Sequence, residues 1–168
     1  MSVPLPPVLV VDDEKNMRLS LQTVLGDEGY SIRAVESAEA GLSLLAQENF
    51  FVVITDACLG GMSGLDFLRK TRANWPDLPV LMITAFATPK LAVEAIKAGA
   101  IDYLAKPFAP EELLHALGRC AERYRLLQEN VALRAQAYET YRLEHIVGES
   151  PQTGQPGSFF TATSSKVV

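Results

Sequence analysis

The sequence predicts an α/β fold, an open and doubly wound sheet of five parallel strands followed by an extended C-terminal helix. Between residues 8 and 105, short apolar runs rich in β-branched residues alternate with longer segments of helical period. This alternation is typical of parallel strands joined by covering helices. After Pro110 it gives way to a single long helical pattern. The chain has 168 residues, of which 48% are hydrophobic, so it is long enough to bury such a core.

The five predicted strands are short, and the first, third and fourth are almost wholly apolar, as buried central strands are. They cover residues 8–11, 31–35, 51–55, 80–84 and 102–105. Helices are predicted between them at residues 15–25, 38–47, 65–73 and 90–98. Because crossovers between parallel strands are right-handed, these helices are expected to cover both faces of the sheet.

The long helical segment carries an apolar seam whose positions alternate at spacings of four and three residues, as in the heptads of a coiled coil. The seam consists of Leu113, Leu117, Cys120, Tyr124, Leu127, Val131, Arg134, Tyr138 and Tyr141. For Leu113 and Leu117, a fifth helix packed on the sheet is the favoured interpretation. Beyond Tyr124 a helix that leaves a compact domain has nothing of its own to pack against. We therefore expect a homodimer through the helix from Leu113 to Tyr141, with its orientation left open by the flanking charges.

These patterns divide the chain into a compact domain at residues 1–125, a helical linker and coiled coil at 126–147, and a flexible tail at 148–168. The tail is rich in Gly, Ser, Thr, Pro and Gln, a composition that does not bury a core. The whole chain has 15 Lys and Arg against 20 Asp and Glu, a formal charge of -5. This balance argues against direct binding of nucleic acid.

Cysteine usage and hydropathy indicate the cellular environment. Cys58 and Cys120 are far apart and in no CxxC pair, so the sequence predicts neither a disulfide framework nor a zinc site. The first residues do not form a signal peptide, and no apolar stretch approaches the roughly 18 residues that a membrane span needs. The expected protein is cytoplasmic, in a reducing compartment and without a membrane partner.

Charged and hydroxyl side chains stand where four of the predicted strands end. Asp12 and Asp13 follow the first strand, Asp56 the third, Thr84 ends the fourth, and Lys106 follows the fifth. In a doubly wound sheet these positions form one rim, where ligands bind. Three neighbouring carboxylates repel each other unless a hard divalent cation lies among them, and magnesium prefers oxygen ligands. With a lysine ammonium and a hydroxyl added, the rim predicts a Mg²⁺ site that accepts a phosphoryl group on a carboxylate.

Each of these residues, taken alone, also fits a structural role, such as an Asp that caps the following helix. Their joint occurrence in strand order favours the functional interpretation. No residues for an organic cofactor are identified, because a flavodoxin-like cofactor binder needs hydroxyls and glycines after the first strand. The acidic run at residues 12–14 would repel a phosphate there.

The chain resembles a response-regulator receiver domain of two-component signalling, a flavodoxin-like receiver fold. The segments that carry the resemblance are VVDDE at 10–14, ITD at 54–56, MITA at 82–85 and DYLAKPF at 102–108, within a stretch of about residues 5–125. The resemblance implies that Asp56 is the phosphoacceptor and that a sensor histidine kinase donates the phosphoryl group. It further implies that Asp13 binds magnesium directly, that Asp12 helps hold it through water, and that Cys58 contributes its backbone carbonyl.

The same resemblance assigns a switch. Thr84 and Lys106 are implied to contact the phosphoryl oxygens, and Tyr103 matches the aromatic residue that moves inward as Thr84 turns toward the phosphate. A cis peptide bond is implied before Pro107. One departure stands out, because Gly60 occupies a loop position where the family usually has proline, and glycine leaves the loop less restricted.

A narrower resemblance concerns what the domain controls. Residues 141–151, YRLEHIVGESP, are similar to the linker and the opening of the ATPase domain in nitrogen-regulation-type activators of sigma-54-dependent transcription. The chain carries neither a GxxxxGK[ST] motif nor a helix-turn-helix. Regulation of transcription would then require an output domain absent from this chain.

Two alternatives to a transcription regulator stay open on the sequence. One is a free-standing receiver that acts by protein–protein contact, and the other is a magnesium-dependent aspartyl-phosphate hydrolase on a similar sheet. The hydrolase family places its nucleophile on the first strand under a cap, and no insertion here is long enough for a cap. The expected chain is therefore a switch and not an enzyme, since it would transfer phosphoryl only to its own aspartate and hydrolyse it there.

Overall fold

The computed structural model describes residues 4–149, with side chains described up to residue 144. Five strands alternate with five helices. The strands are β1 Val8–Val11, β2 Ile32–Val35, β3 Val52–Asp56, β4 Val80–Thr84 and β5 Asp102–Ala105. The helices are α1 Lys15–Asp27, α2 Ala38–Gln47, α3 Gly64–Asn74, α4 Pro89–Lys97 and α5 Pro110–Glu149.

The strands form one parallel sheet in the order β2-β1-β3-β4-β5, which confirms the predicted doubly wound α/β fold. The predicted bounds of β3 were one residue too early. Asp56 is the last residue of β3 and not the first residue after it, because it still pairs with Ile83 of β4. This pairing fixes the backbone of Asp56 within the sheet.

Two apolar layers cover the sheet, one on each face. Alternate residues of β1 point to opposite faces, with Val8 and Val10 in one layer and Leu9 and Val11 in the other. The first layer contains residues of α1 and the start of α5, and the second contains residues of α2, α3 and α4. The central strands β1, β3 and β4 are buried on both sides, so they hold the rim of the sheet rigidly.

The chain divides into two compact units, one up to Leu126 and one from Leu127 onward. In the first unit, Leu113 and Leu117 of α5 are fully buried in the core, as the covering-helix interpretation predicts. In the second unit, Val131 is exposed. Pairing of this second part with another copy stays a prediction.

The end of α5 bears on the predicted linker and tail. The helix includes Gly148 and Glu149, two residues past the predicted end of the linker at 147. The remainder of the predicted flexible tail, residues 150–168, lies outside the described residues. Within residues 4–149, none of the helices combines the length and the apolarity that crossing a membrane requires.

Candidate functional site

The carboxyl ends of the strands bring the predicted site residues to one rim of the sheet. Val11 of β1 is in register with Thr55 of β3, so the next residues, Asp12 and Asp56, lie side by side on adjacent strands. The chain enters the rim again at the end of β5, where Lys106 follows the last strand residue. Asp12, Asp56 and Lys106 therefore meet although they are far apart in sequence.

Lys106 joins the two acidic strand ends. Its Nζ donates a hydrogen bond to Asp56 Oδ2 at 2.9 Å and another to Asp12 Oδ2 at 3.1 Å. The side chains are largely buried, with 10% of Lys106, 5% of Asp12 and 9% of Asp56 exposed. An ion pair this well enclosed is only weakly screened by solvent, so the ammonium holds both carboxylates in position.

The remaining carboxylate oxygens accept hydrogen bonds from the main chain. The Glu14 N–H donates to Asp12 Oδ1 and the Cys58 N–H donates to Asp56 Oδ1, each at 2.9 Å. Each carboxylate thus has one oxygen on a backbone amide and the other on the Lys106 ammonium. These contacts fix the orientation of both groups before any ligand arrives.

Burial and charge act against each other in this cluster. Burial alone would lower the pKa of Lys106, but its hydrogen bonds to Asp56 and Asp12 outweigh burial, and the pKa is raised. Burial raises the pKa of Asp12, and the hydrogen bonds from Glu14 and Lys106 offset this only in part. Lys106 is therefore firmly protonated at neutral pH. For Asp12, in contrast, burial disfavours the ionised form of the carboxylate.

Asp12, Asp13 and Asp56 together have the donor chemistry of a hard cation site. One carboxylate oxygen from each of the three lies within 4.8 Å of the others. Oxygen ligands of this kind suit Mg²⁺, which is commonly bound by one or two carboxylates together with water and phosphate oxygens. Asp13 is the exposed member, while Asp12 and Asp56 are buried. The residues present therefore fit magnesium.

Thr84 is fully buried at the end of β4. Its Oγ accepts a hydrogen bond from the Phe86 N–H at 3.2 Å, and its main-chain oxygen accepts one from the Lys106 N–H at 2.8 Å. The backbone thus ties Thr84 to Lys106. Cys58 is exposed beside Asp56. Its amide contacts the Asp56 carboxylate, whereas the predicted role of its carbonyl stays a prediction.

Tyr103, on β5, has a buried hydroxyl, although the residue as a whole is only partly buried against the core layer of α2, α3 and α4. Burial raises the pKa of Tyr103, and the nearby main chain of Thr88 opposes this without reaching hydrogen-bond geometry. The inward movement of Tyr103 that the resemblance implies stays a prediction. The Lys106–Pro107 peptide bond is cis, as the resemblance implied.

Two contributors to the site were missed from the sequence. Gly64, just before the predicted third helix, was given no role in the site, yet a Cβ there would clash with the Asp56 main-chain oxygen. Only glycine lets the start of α3 close against Asp56. Arg18 was not considered at all, and its Nη1 donates a 2.7 Å hydrogen bond to the main-chain oxygen of Asp12. A basic residue six positions after an acidic strand end was the one signal that could have found it.

Comparison with known proteins gives consistent matches. Residues 8–118 match the family model described as response regulator receiver domain. The chain is 35% identical over 146 residues to the C4-dicarboxylate transport transcriptional regulatory protein DctD of Rhizobium meliloti, a match that covers 87% of this chain and 32% of that protein. It is 44% identical over 117 residues to the response regulator protein FleR of Pseudomonas aeruginosa, covering 67% of this chain and 25% of that protein.

A solved structure agrees with these matches. The receiver domain of NtrX from Brucella abortus superimposes with a TM-score of 0.66 at 34% identity, covering 68% of this chain and 98% of that one. The two curated relatives are much longer than their matched part, since the chain spans a third or less of their length.

Proposed function

The chain belongs to the family of response regulator receiver domains, and we propose that it accepts a phosphoryl group on Asp56 from a sensor histidine kinase in a magnesium-dependent reaction. The observation that carries this proposal is the shared Lys106 ammonium, which holds Asp56 and Asp12 at one enclosed rim beside Asp13. A buried carboxylate oriented by a lysine and an amide is prepared to act as a nucleophile.

In the proposed transfer, a carboxylate oxygen of Asp56 attacks the phosphorus of a phosphohistidine. The new bond is O–P, the P–N bond breaks, and the histidine nitrogen leaves with its electron pair. Mg²⁺ would be held by Asp12, Asp13, Asp56 and the Cys58 carbonyl, and it would supply positive charge that offsets the charge of the carboxylates and of the phosphoryl oxygens.

The protein groups supply the rest of the stabilisation. Lys106 already lies 2.9 Å from Asp56 Oδ2, so its ammonium is in position to contact a phosphoryl oxygen carried by that carboxylate. The Cys58 amide keeps the carboxylate plane oriented during the attack. Such preorganised donors lower the barrier because they need no reorientation as charge develops.

Phosphorylation is proposed to operate a switch through Thr84 and Tyr103. A phosphoryl group adds about -1.5 to -2 charge and three acceptor oxygens. The Thr84 hydroxyl, which now accepts from the Phe86 amide, would turn to donate to one of these oxygens. The loop before α4 would then lose that contact, and Tyr103 would move inward and stabilise the new arrangement of α4 and β5.

The proposed output is a change in assembly that regulates transcription through a domain outside this chain. The similarity to DctD, a transcriptional regulatory protein, supports this context. We propose a homodimer through α5. Of the predicted interface from Leu113 to Tyr141, Leu113 and Leu117 are buried in the core of their own chain, so the proposed pairing uses the later part of the seam, where Val131 and Tyr138 are exposed. A free-standing receiver that binds a partner protein is the alternative, and it predicts the same phosphoryl chemistry.

Asp56→Asn tests the phosphoacceptor. The wild-type chain incubated with acetyl phosphate and Mg²⁺ is expected to gain the mass of one phosphoryl group, measured by intact mass spectrometry. Asp56→Asn should gain none, while Asp66→Asn, an exposed aspartate on α3, should behave as wild type. A hydroxylamine-sensitive phosphoryl group on the Asp56→Asn variant would overturn the assignment.

A further inference from the structure

We propose that Arg18 is a positioning residue for the metal site, which it serves by orienting Asp13 through the backbone. Its Nη1 donates to the main-chain oxygen of Asp12 at 2.7 Å, a shorter distance than in the hydrogen bonds that involve a side chain of Asp12, Asp56, Thr84 or Lys106. Only 17% of the Arg18 side chain is exposed. A hydrogen bond with a charged donor, a short donor–acceptor distance and little exposure to solvent is a strong one.

The accepting oxygen belongs to the peptide unit that joins Asp12 to Asp13. A peptide is planar, so fixing the carbonyl of Asp12 also fixes the N–H and the Cα of Asp13. The exposed Asp13 carboxylate has no hydrogen-bond or ion-pair partner among residues 4–144. Apart from its own side-chain rotamers, the position of this carboxylate is therefore set by its backbone, and Arg18 holds that backbone.

Arg18 is itself held in place from two sides. It lies in the first turn of α1, where its N–H donates to the Glu14 main-chain oxygen at 3.1 Å. Its guanidinium also reaches Glu36, just past the end of β2, at 3.9 Å. Glu36 is 75% exposed, so this ion pair contributes little, and the contact with the Asp12 carbonyl is the important one.

Arg18 and Lys106 thus contact the same acidic end of β1, but one contacts the main chain and the other contacts a side chain. Lys106 holds the side-chain carboxylates of Asp12 and Asp56, while Arg18 holds the main chain from which Asp13 projects. Because the guanidinium is positive, its removal has two opposite consequences for a cation. Lost orientation of Asp13 weakens binding, whereas loss of a nearby positive charge strengthens it.

Mg²⁺ binding to the full chain, measured by calorimetry after removal of divalent ions with EDTA, separates these effects. Arg18→Gln removes the charge, and Arg18→Lys keeps the charge on a side chain about one bond too short for the same contact. The inference predicts that both variants raise the Kd for Mg²⁺ by roughly tenfold or more, as loss of a group that orients a metal ligand does. Arg33→Gln, which removes an exposed arginine paired with Glu48, should stay within about twofold of wild type.

A purely electrostatic role makes the opposite prediction and would overturn the inference. In that case Arg18→Gln lowers the Kd and Arg18→Lys leaves it unchanged. A thermal melt in EDTA checks that each variant is folded. If Arg18→Gln does not fold, the Kd of Arg18→Lys alone distinguishes the two roles.

The inference rests on the proposed magnesium site, so a second readout does not use metal. In the metal-free chain, the amide resonances of Asp13 and Glu14 should shift in both Arg18 variants and stay in place in Arg33→Gln. Unmoved amides would overturn the role of Arg18 even if the wild type binds Mg²⁺. Shifted amides in a chain whose wild type takes up no Mg²⁺ would instead count against the proposed function.

Discussion

The two parts of helix α5 carry one sequence pattern with opposite consequences. In the part up to Leu126, the seam residues Leu113 and Leu117 are fully buried in the core. In the part from Leu127 onward, Val131 is 61% exposed and Tyr138 is 63% exposed. The heptad spacing is the same throughout, so the period alone does not determine what covers the seam.

The difference teaches that periodicity identifies an apolar face, while burial depends on what the rest of the chain supplies. The sheet supplies a surface for the first part of the helix. For the second part an isolated helix buries little apolar area, and its stability must come mostly from packing against another element. The comparison can be tested by placing the same charge at equivalent seam positions in each part.

The largest expected effect comes from a charge in the buried part. Leu117→Asp places a carboxylate in the core without a partner, and we expect it to destabilise the folded chain by about 4 kcal/mol or more. Val131→Asp, at the equivalent heptad position, should change the free energy of unfolding of the monomer by about 0.5 kcal/mol or less. Urea denaturation followed by the fluorescence of Trp75, which is partly buried against the core, measures both.

Protein concentration serves as the control in this comparison. At concentrations where the wild type is monomeric, the two variants should differ as stated. An equally large loss of stability in Val131→Asp under those conditions would mean that the second part of the helix is buried within its own chain.

The fold was predictable because each strand can be recognised from its own short run of apolar residues. Their apolar runs and the residues between them locate all five strands to within a residue, and three strand ends carry Asp12, Asp56 and Lys106, which the structure joins by hydrogen bonds. The convergence of these residues follows from the topology of parallel sheets. Sequence patterns therefore predicted the rim well.

Backbone-mediated contributions were not predictable in the same way. Gly64 matters because the Asp56 main-chain oxygen leaves no room for a Cβ, and Arg18 matters because of the Asp12 main-chain oxygen. Both depend on the path of the backbone in space, which residue types at a given spacing do not specify. Residues that act on side chains leave a chemical signature in the sequence, whereas residues that act on main-chain atoms leave almost none.

A smaller effect on stability, but a clear effect on assembly, is expected from charges on the exposed part of the seam. Leu127→Asp combined with Val131→Asp should convert the predicted dimer to a monomer, since repulsion across the seam adds to the lost apolar contact. Ala132→Asp combined with Gln136→Asp adds the same charge off the seam and should leave the particle mass unchanged. Light scattering with and without acetyl phosphate measures the mass, and an unchanged mass in the seam variant would refute pairing through this helix.

The smallest effect concerns the two cysteines, which report on the burial of the first part of α5 without altering it. Cys58 is exposed in the loop after β3, whereas Cys120 lies in the seam and is buried. We expect a thiol reagent to label Cys58 rapidly in the folded chain and to label Cys120 only after denaturation, with Cys58→Ser as the control that removes the rapid phase.

The pH dependence of Cys120 sharpens this last prediction. Burial raises the pKa of the Cys120 thiol to about 11, from an ordinary value of 9.0. Between these two values the folded chain retains a proton that the unfolded chain loses, so this thiol favours folding below pH 9 and that contribution declines as the pH rises toward 11. Cys120 should therefore stay unlabelled in the folded chain even at pH 9, where an exposed thiol is half ionised. Rapid labelling of Cys120 at that pH would mean that the first part of α5 opens readily from the sheet. The two parts of the helix would then differ less in burial than the structure indicates.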